Sequence, residues 1–243
     1  MDEHGRRISR RTFAQMTGAA ALSLAVAPAT ASAGTSRLTW HGPSTLADGD
    51  PRSVGMDPDR LEDVFARVGR RAADGRYPGA VALVARHGVI VGERAFGVRL
   101  AGSTDATTTD TLYDLESMTK VLSTATATML LAEQRRLSLT DPVARYLPDF
   151  ATNGKGAVQV RDLLRYSSGL PVDNPKVDTD DIDAIWAFME ETPLEYPTGS
   201  SVEYSDLGFR LLGKLVETVA GTDLDTFAKR WIWGPLGMTD TTY

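Results

Sequence analysis

The sequence has no cysteine and only three histidines, His4, His41 and His87. Without cysteine the chain cannot form disulfides, thiolate metal sites or a thiol nucleophile, and three scattered histidines do not suggest a histidine metal site. Positive charge is also scarce, because 26 lysines and arginines stand against 32 aspartates and glutamates, a net charge of −6. Nucleic acid is therefore not an expected partner.

Long hydrophobic runs are missing as well. The apolar run at residues 19–27 is too short to span a bilayer. Four arginines precede this run and small residues follow it at 31–33, which is the order of a cleavable signal peptide, and the sequence around Arg10 and Arg11 resembles a twin-arginine export motif. We predict that residues 1–33 are this signal and that the protein is secreted or periplasmic without a stable membrane anchor. The alternative is a basic amphipathic surface helix.

The next part of the chain predicts a linker, a helix and a hairpin. Residues 34–55 are rich in Gly, Ser, Pro and Asp without periodicity, which is typical of a linker or an irregular wrap. Asp57 and Pro58 then begin a helix with apolar residues at i, i+3, i+4 and i+7, ending near residue 75. Two strand-like runs at 80–85 and 89–91 predict a hairpin, the only sheet we expect, with His87 as a turn residue rather than a catalytic one.

A third segment, residues 117–133, predicts a helix that is apolar on nearly every side and therefore central and buried. Lys120 is the only charged residue before its last turn, and burial disfavours an ammonium group, so we expect a depressed pKa and a role as base. Ser117 lies three residues earlier and projects on nearly the same face, beside the free N–H groups of the helix N-terminus. Ser117 is thus a candidate nucleophile; alternatively it is an N-cap and Lys120 a snorkelling lysine.

Tyr204 is a second candidate for proton transfer. It follows a turn at residues 197–199 and precedes a predicted helix whose buried side carries Leu207, Leu211, Leu212, Leu215 and Val219. A phenol in a loop before a helix can face a cleft and exchange protons with a serine and lysine pair. The alternative is a tyrosine that only packs.

These residues resemble a known family. The sequence Ser117-Met118-Thr119-Lys120 and the sequence Tyr204-Ser205-Asp206 resemble the first two motifs of the serine β-lactamase and penicillin-binding-protein superfamily. Segments 139–148, 160–171 and 235–241 are similar to its class C-related branch of esterases, D-amino-acid peptidases and β-lactamase-like hydrolases. The resemblance covers residues 56–243. It implies an α/β fold of the α+β type, with an antiparallel sheet packed against helices and a mostly helical region.

The resemblance also implies roles for the candidate residues. Ser117 would be the acylated nucleophile, Lys120 its activating base, and Tyr204 the group that returns a proton to the leaving group and later activates water. Asp206 would contact the substrate. The substrates implied are esters, D-amino-acid peptides or β-lactam-like compounds, and no metal or cofactor is implied.

Two features depart from the family pattern. Many members have Asn where this chain has Asp206, and an ionised Asp can only accept hydrogen bonds, so recognition of a substrate amide is weakened. An Asp at this position resembles the esterase-like relatives more than a true β-lactamase. Asp206 near Lys120 would also raise the lysine pKa. The third family motif, Lys-Thr-Gly or His-x-Gly, is absent from the sequence. Residues 56–243 are therefore expected to be the N-terminal portion of a larger hydrolytic domain, inactive through truncation, which the coding sequence after Tyr243 would test.

Two other interpretations stay open. The chain could be a non-catalytic remnant, or a module of the same fold that binds a ligand or peptidoglycan. Alternatively, the acidic helical region at residues 178–191 could be a protein-interaction surface, although such charge runs are usually solvated helix faces.

Overall fold

A computed structural model describes residues 46–172 and 182–243. The predicted signal peptide, most of the predicted linker and the start of the acidic region at 178–191 lie outside these described residues. In the described part of the chain, no helix is long and apolar enough to cross a membrane.

The first helix, α1, forms where the sequence predicts it. It spans Pro58–Ala73, and the Asp57 carboxylate caps it by accepting hydrogen bonds from the backbone N–H groups of Asp59 and Arg60 at 2.9 and 3.3 Å. Proline at the first helical position costs no hydrogen bond, because that N–H has no partner inside the helix. The apolar stripe buries Leu61 and Phe65. The prediction for this helix is confirmed.

The sheet contains one strand more than predicted. Strand β1 is Ala47–Asp48, β2 is Gly79–Arg86 and β3 is Val89–Gly97, in the order β1-β3-β2. The predicted hairpin pairs β2 with β3 antiparallel, and His87 and Gly88 form its turn with φ of 51° and 79°. The expectation that the hairpin is the only sheet is wrong, because β1 pairs parallel with β3. A two-residue strand held by backbone pairing is too short to produce hydrophobic alternation.

The remaining helices form a second layer with its own core. Helix α2 joins a π-helical segment, Lys120–Ala125, to the α-helical Thr126–Glu133. After it come α3 (Val160–Leu164), α4 (Ile182–Glu191), α5 (Asp206–Ala220) and α6, which joins Leu224–Ala228 to the π-helical Lys229–Trp233. Short 3-10 turns lie at Pro51–Val54, Val143–Arg145, Pro148–Ala151 and Lys155–Ala157. The core of this layer includes Leu131, Leu163, Leu207, Leu212, Leu215 and Phe227, whereas Leu61, Phe65 and Val91 form a smaller core under the sheet.

Helix α2 is less buried than its sequence predicts. Ala127 and Leu131 are buried, but 56% of Met118, 61% of Val121 and 49% of Met129 remain exposed. The helix packs against α5 and α6 on one side. The expectation of burial on every side is therefore wrong for the described residues, since apolar composition shows what a helix can bury but not which elements cover it.

Lys155 is a fully buried lysine that the sequence did not single out. Its side chain is 0% exposed, and its Nζ donates hydrogen bonds to the carbonyls of Glu190 and Thr192 at 2.8 and 2.6 Å. Glu190 lies in the last turn of α4 and Thr192 directly follows the helix. The last carbonyls of a helix have no donors within it. The ammonium also lies 5.4 Å from the centroid of the Phe150 ring. Lys155 thus connects the C-terminal end of α4 to the 3-10 turn at Lys155–Ala157, which precedes α3.

We expect Lys155→Met to lower the free energy of unfolding by about 1–3 kcal/mol, since it keeps the aliphatic stem but leaves two carbonyls without their donor. Burial lowers the pKa of Lys155 below its usual 10.5, although the nearby Glu190 charge opposes the shift. The unfolded chain then binds the proton more tightly, so the stability advantage of the wild type grows as the pH rises from the folded pKa toward 10.5. Urea unfolding at several pH values measures this.

The control for Lys155 is Lys229→Met, which removes a half-exposed lysine paired with Asp225 at 2.8 Å. An exposed ion pair contributes about 0–1 kcal/mol, so this variant should unfold nearly as the wild type does. Equal stability of the two variants at every pH would contradict the role given to Lys155.

Candidate active site

Ser117 lies in the turn that leads into α2. The backbone N–H groups of Met118, Thr119 and Lys120 donate to carbonyls three residues earlier, at 2.9, 3.0 and 3.2 Å. Among the described residues, the N–H of Ser117 itself has no acceptor. The preceding residue, Glu116, has a φ of +47°, in the left-handed region that side chains other than glycine seldom occupy. An exposed serine with a free N–H thus sits on a strained turn.

The three predicted catalytic side chains meet at one point. The Oγ atom of Ser117 is 2.7 Å from Oη of Tyr204 and 3.0 Å from Nζ of Lys120. Ser117 and Tyr204 are 87 positions apart in the sequence. The serine oxygen therefore contacts two groups that can carry a proton.

Tyr204 is held in place by hydrogen bonds on both sides of it. The N–H of Glu203 donates to the Tyr166 carbonyl at 2.9 Å, and the N–H of Asp206 donates to the Val172 carbonyl at 2.7 Å. Ser205 caps α5: its Oγ accepts from the N–H of Gly208 at 3.1 Å and donates to the Pro171 carbonyl at 2.6 Å. Segment 203–206 is therefore fixed against segment 166–172, which belongs to the motifs similar to the family.

Asp206 is the fourth member of the site. Its Oδ1 atom lies 2.5 Å from Nζ of Lys120, with 16% of the lysine side chain and 33% of the aspartate side chain exposed. Burial alone would lower the pKa of Lys120, but hydrogen bonds and charges of Asp206 and Tyr204 outweigh it and raise that pKa. The expectation of a depressed lysine pKa is wrong, while the expectation that Asp206 opposes it agrees with the geometry. Lys120 is an ammonium at neutral pH.

A cavity of about 590 Å³ opens beside Ser117. Helix α5 supplies one wall through Asp206, Arg210 and Lys214, which lie at successive turns, and α4 contributes Trp186. Nζ of Lys214 lies 5.2 Å from the centroid of the Trp186 ring. The cavity is large enough for a small acyl compound next to the serine.

The groups that surround the serine oxygen are side chains and a backbone N–H. In residues 46–172 and 182–243, no group of three His, Asp or Glu side chains is arranged to hold a metal ion. His87 lies in the turn of the β2–β3 hairpin, as predicted. The Ser117 oxygen lies between a phenol and an ammonium and can attack a carbonyl carbon. The free backbone N–H of Ser117 can then stabilise the oxyanion that forms.

Sequence reasoning missed two residues of this site, Glu116 and Tyr166. Both have left-handed backbones, with φ of +47° and +56°. Neither is a glycine or an asparagine, so residue type gave no signal for this conformation. Tyr166 stacks on Tyr204 with ring centroids 5.0 Å apart.

This chain is similar to known proteins over most of its length. The beta-lactamase family model matches residues 64–243. A protein of Escherichia coli (strain K12) named "Putative D-alanyl-D-alanine carboxypeptidase" is 32% identical over 219 residues, which cover 82% of this chain and 50% of that protein. The chain thus spans about half the length of the curated relatives it matches.

Two solved structures show the same similarity. The structure of a penicillin-binding protein homologue from Caulobacter crescentus is 30% identical and superposes with a TM-score of 0.62, covering 75% of this chain and 50% of that one. EstCE1, described as a hydrolase with promiscuous acyltransferase activity, is 28% identical with a TM-score of 0.66, covering 74% of this chain and 52% of that one.

Proposed function

Because the chain belongs to the beta-lactamase family, we propose that it is a serine hydrolase that works through an acyl-enzyme at Ser117. The predicted superfamily and its α/β fold are confirmed by the same comparisons. The observation that carries the proposal is the position of the Ser117 Oγ atom, within hydrogen-bond distance of both Tyr204 and Lys120. The 590 Å³ cavity beside this hydroxyl leaves room for a substrate.

The geometry supports a proton route from Ser117 to Tyr204. As an ammonium, Lys120 can only donate, so it donates to the Ser117 Oγ and leaves the hydroxyl hydrogen free to point at Tyr204. We propose that Tyr204 is the base that takes up this proton, with the positive charge of Lys120 5.1 Å from its ring centroid. Lys120, expected from the sequence to be the base, acts here through its charge.

Each step then conserves atoms and charge. The Ser117 Oγ bonds to the substrate carbonyl carbon, its proton passes to Tyr204, and the carbonyl oxygen becomes an oxyanion facing the Ser117 N–H. The bond to the leaving group breaks as Tyr204 gives that proton to the departing oxygen or nitrogen. Water next attacks the acyl ester, again losing a proton to Tyr204, which returns it to Ser117 as the acid is released.

The proposed substrates are esters and D-amino-acid peptides. Both present a carbonyl with a leaving group that Tyr204 can protonate, and the name of the Escherichia coli relative points to D-alanyl peptides. β-Lactam compounds would be poorer substrates, because Asp206 offers their amide carbonyl no donor while it is paired with Lys120.

Covalent labelling tests the proposal. The full-length protein, meaning this chain together with any residues encoded after Tyr243, is incubated with a fluorophosphonate and, separately, with a fluorescent penicillin; intact mass and peptide mapping locate any adduct. We expect a single adduct at Ser117 with the fluorophosphonate. No adduct with either reagent would favour the non-catalytic binding module, and an adduct on another residue would overturn the assignment of Ser117.

We expect Asp206→Asn to raise acylation by penicillins relative to simple esters by roughly twofold to tenfold. The neutral asparagine amide can donate one hydrogen bond to the neutral substrate carbonyl, and such a bond contributes about 0.5–1.5 kcal/mol. The measurement is the ratio of the two acylation rate constants. Glu217→Gln, on the same face of α5 and beside the same cavity, is the control and should leave the ratio unchanged. A flat ratio in Asp206→Asn would show that this side chain does not face the substrate.

We further propose export by the twin-arginine route, on the strength of the sequence of residues 1–33. Replacing Arg10 and Arg11 together by lysine should leave nearly all of the precursor in the cytoplasm of a bacterial host that has this translocase. Cell fractionation with an immunoblot measures it. The matched control replaces Arg6 and Arg7 by lysine, which keeps the motif and should preserve export. Normal secretion of the first variant would refute the route.

A further inference from the structure

Tyr166 has a backbone conformation that its side chain disfavours. It follows α3 in the left-handed region, at a φ of +56°, with its N–H donating to the Leu163 carbonyl at 3.1 Å. For a residue with a bulky side chain this conformation is strained, and such strain persists where the surrounding structure enforces it. Something in the fold must therefore favour a tyrosine here over the glycine that would fit without strain.

The ring of Tyr166 lies against the candidate catalytic tyrosine. Its centroid is 5.0 Å from that of Tyr204, with an angle of 29° between the planes, and 5.2 Å from that of Phe209. Stacked aromatic pairs at this separation attract each other by more than their buried area alone provides. Phe209 is a buried residue of α5, so the ring of Tyr166 connects Tyr204 to the helical core.

The backbone of Tyr166 holds the same segment. Its carbonyl accepts the N–H of Glu203 at 2.9 Å, one residue before Tyr204. Tyr204 itself is 44% exposed, so core packing does not fix its side chain. The Tyr166 ring, the bond to Ser117 and the Lys120 ammonium 5.1 Å from the ring centroid all contact the phenol, and the Tyr166 ring is the contact that covers its face from the helical core.

We propose that Tyr166 is a positioning residue, whose left-handed backbone directs its ring onto Tyr204 and so holds the phenol oxygen 2.7 Å from Oγ of Ser117. This inference rests on the proposed function of Ser117 and Tyr204. Its contribution comes from the ring, because the ring makes the contacts with Tyr204 and Phe209. The ring face supplies the contact, so phenylalanine can replace it.

The test compares Tyr166→Phe, Tyr166→Ala and Tyr166→Gly in the full-length protein, using the acylation rate constant with p-nitrophenyl acetate. We expect Phe to stay within about threefold of the wild type, and Ala and Gly each to lose about 10–100-fold with little change in KM, as a misplaced catalytic group does. Gly adopts the left-handed backbone freely, so its melting temperature should exceed that of Ala.

These variants separate positioning from stability. If Tyr166 were merely structural, the Tyr166→Gly variant would regain both the stability and the acylation rate that Tyr166→Ala loses. If Tyr166→Gly melts at a higher temperature than Tyr166→Ala but still acylates slowly, the result supports a positioning role. The pH dependence of acylation should also shift in Ala and Gly but not in Phe. If the Ala variant does not fold, the Gly variant is compared with the Phe variant instead, because glycine adopts the left-handed backbone without strain.

Different results would overturn the role of Tyr166 and the proposed function. A wild-type protein without a Ser117 adduct would overturn the proposed function, and the positioning role with it. A wild type that forms the adduct, with Ala and Gly variants acylating at the wild-type rate, would overturn only the role of Tyr166. A Phe variant as slow as Ala would also overturn it, since the hydroxyl group would then be what matters.

Discussion

Replacing Ser117 by alanine should abolish the burst of product that an activated ester gives when the enzyme is acylated, and lower turnover on the order of 10³-fold or more. The substitution removes the oxygen that contacts both Tyr204 and Lys120, so no other group can form the acyl bond at this position. Pre-steady-state hydrolysis of p-nitrophenyl acetate measures both the burst and the steady rate.

The fold should survive this change. Ser117 is exposed and lies outside the helical core, and the strained φ of Glu116 is set by the turn rather than by the serine side chain. We expect the same melting temperature or a slightly higher one. Ser200→Ala is the control: it removes an exposed serine whose Oγ donates to the Pro197 carbonyl at 2.7 Å, and the burst should remain. A burst that persists in Ser117→Ala would mean that another residue is acylated.

Local features of the fold were predictable where a few neighbouring residues decide them. The Asp57 and Pro58 start of α1 and the His87-Gly88 turn each follow from rules that act within one turn of the chain. Lys155 shows the opposite case. Its burial depends on the carbonyl of Thr192, 37 positions away, so nothing near Lys155 in the sequence marks it as a core residue.

In the candidate site, too, some features could be predicted from neighbouring residues and others could not. The spacing of Ser117 and Lys120 suggested a nucleophile beside a lysine, and the loop position of Tyr204 made it a candidate for proton exchange with them. Only the family resemblance implied the steps in which Tyr204 would act. The direction of the Lys120 pKa could not follow from helix composition, because Asp206 reaches the ammonium from α5. The sequence showed two effects with opposite influence on the pKa of Lys120, burial and the charge of Asp206. The 2.5 Å distance between Nζ of Lys120 and Oδ1 of Asp206 lets the contact with Asp206, together with Tyr204, outweigh burial.

Tyr204→Phe should lower the acylation rate about 10²–10⁴-fold, the usual contribution of a general acid or base. Phenylalanine keeps the ring that stacks on Tyr166 and lies 5.1 Å from Nζ of Lys120, so only the oxygen 2.7 Å from Ser117 is lost. Stability should therefore change little. Stopped-flow acylation by p-nitrophenyl acetate, with thermal melting alongside, measures both quantities.

Tyr113→Phe is the matched control, because Tyr113 lies four residues before Ser117 with its side chain 47% exposed, and its acylation rate should equal that of the wild type. If Tyr204→Phe instead acylated within threefold of the wild type, the serine proton would have to pass to Lys120. An ammonium cannot accept it, so Lys120 would first have to give a proton to Asp206 across their 2.5 Å contact. Acylation in Tyr204→Phe would then be abolished by adding Asp206→Asn, whereas with Tyr204 as the base the second change leaves the slow rate within a few-fold.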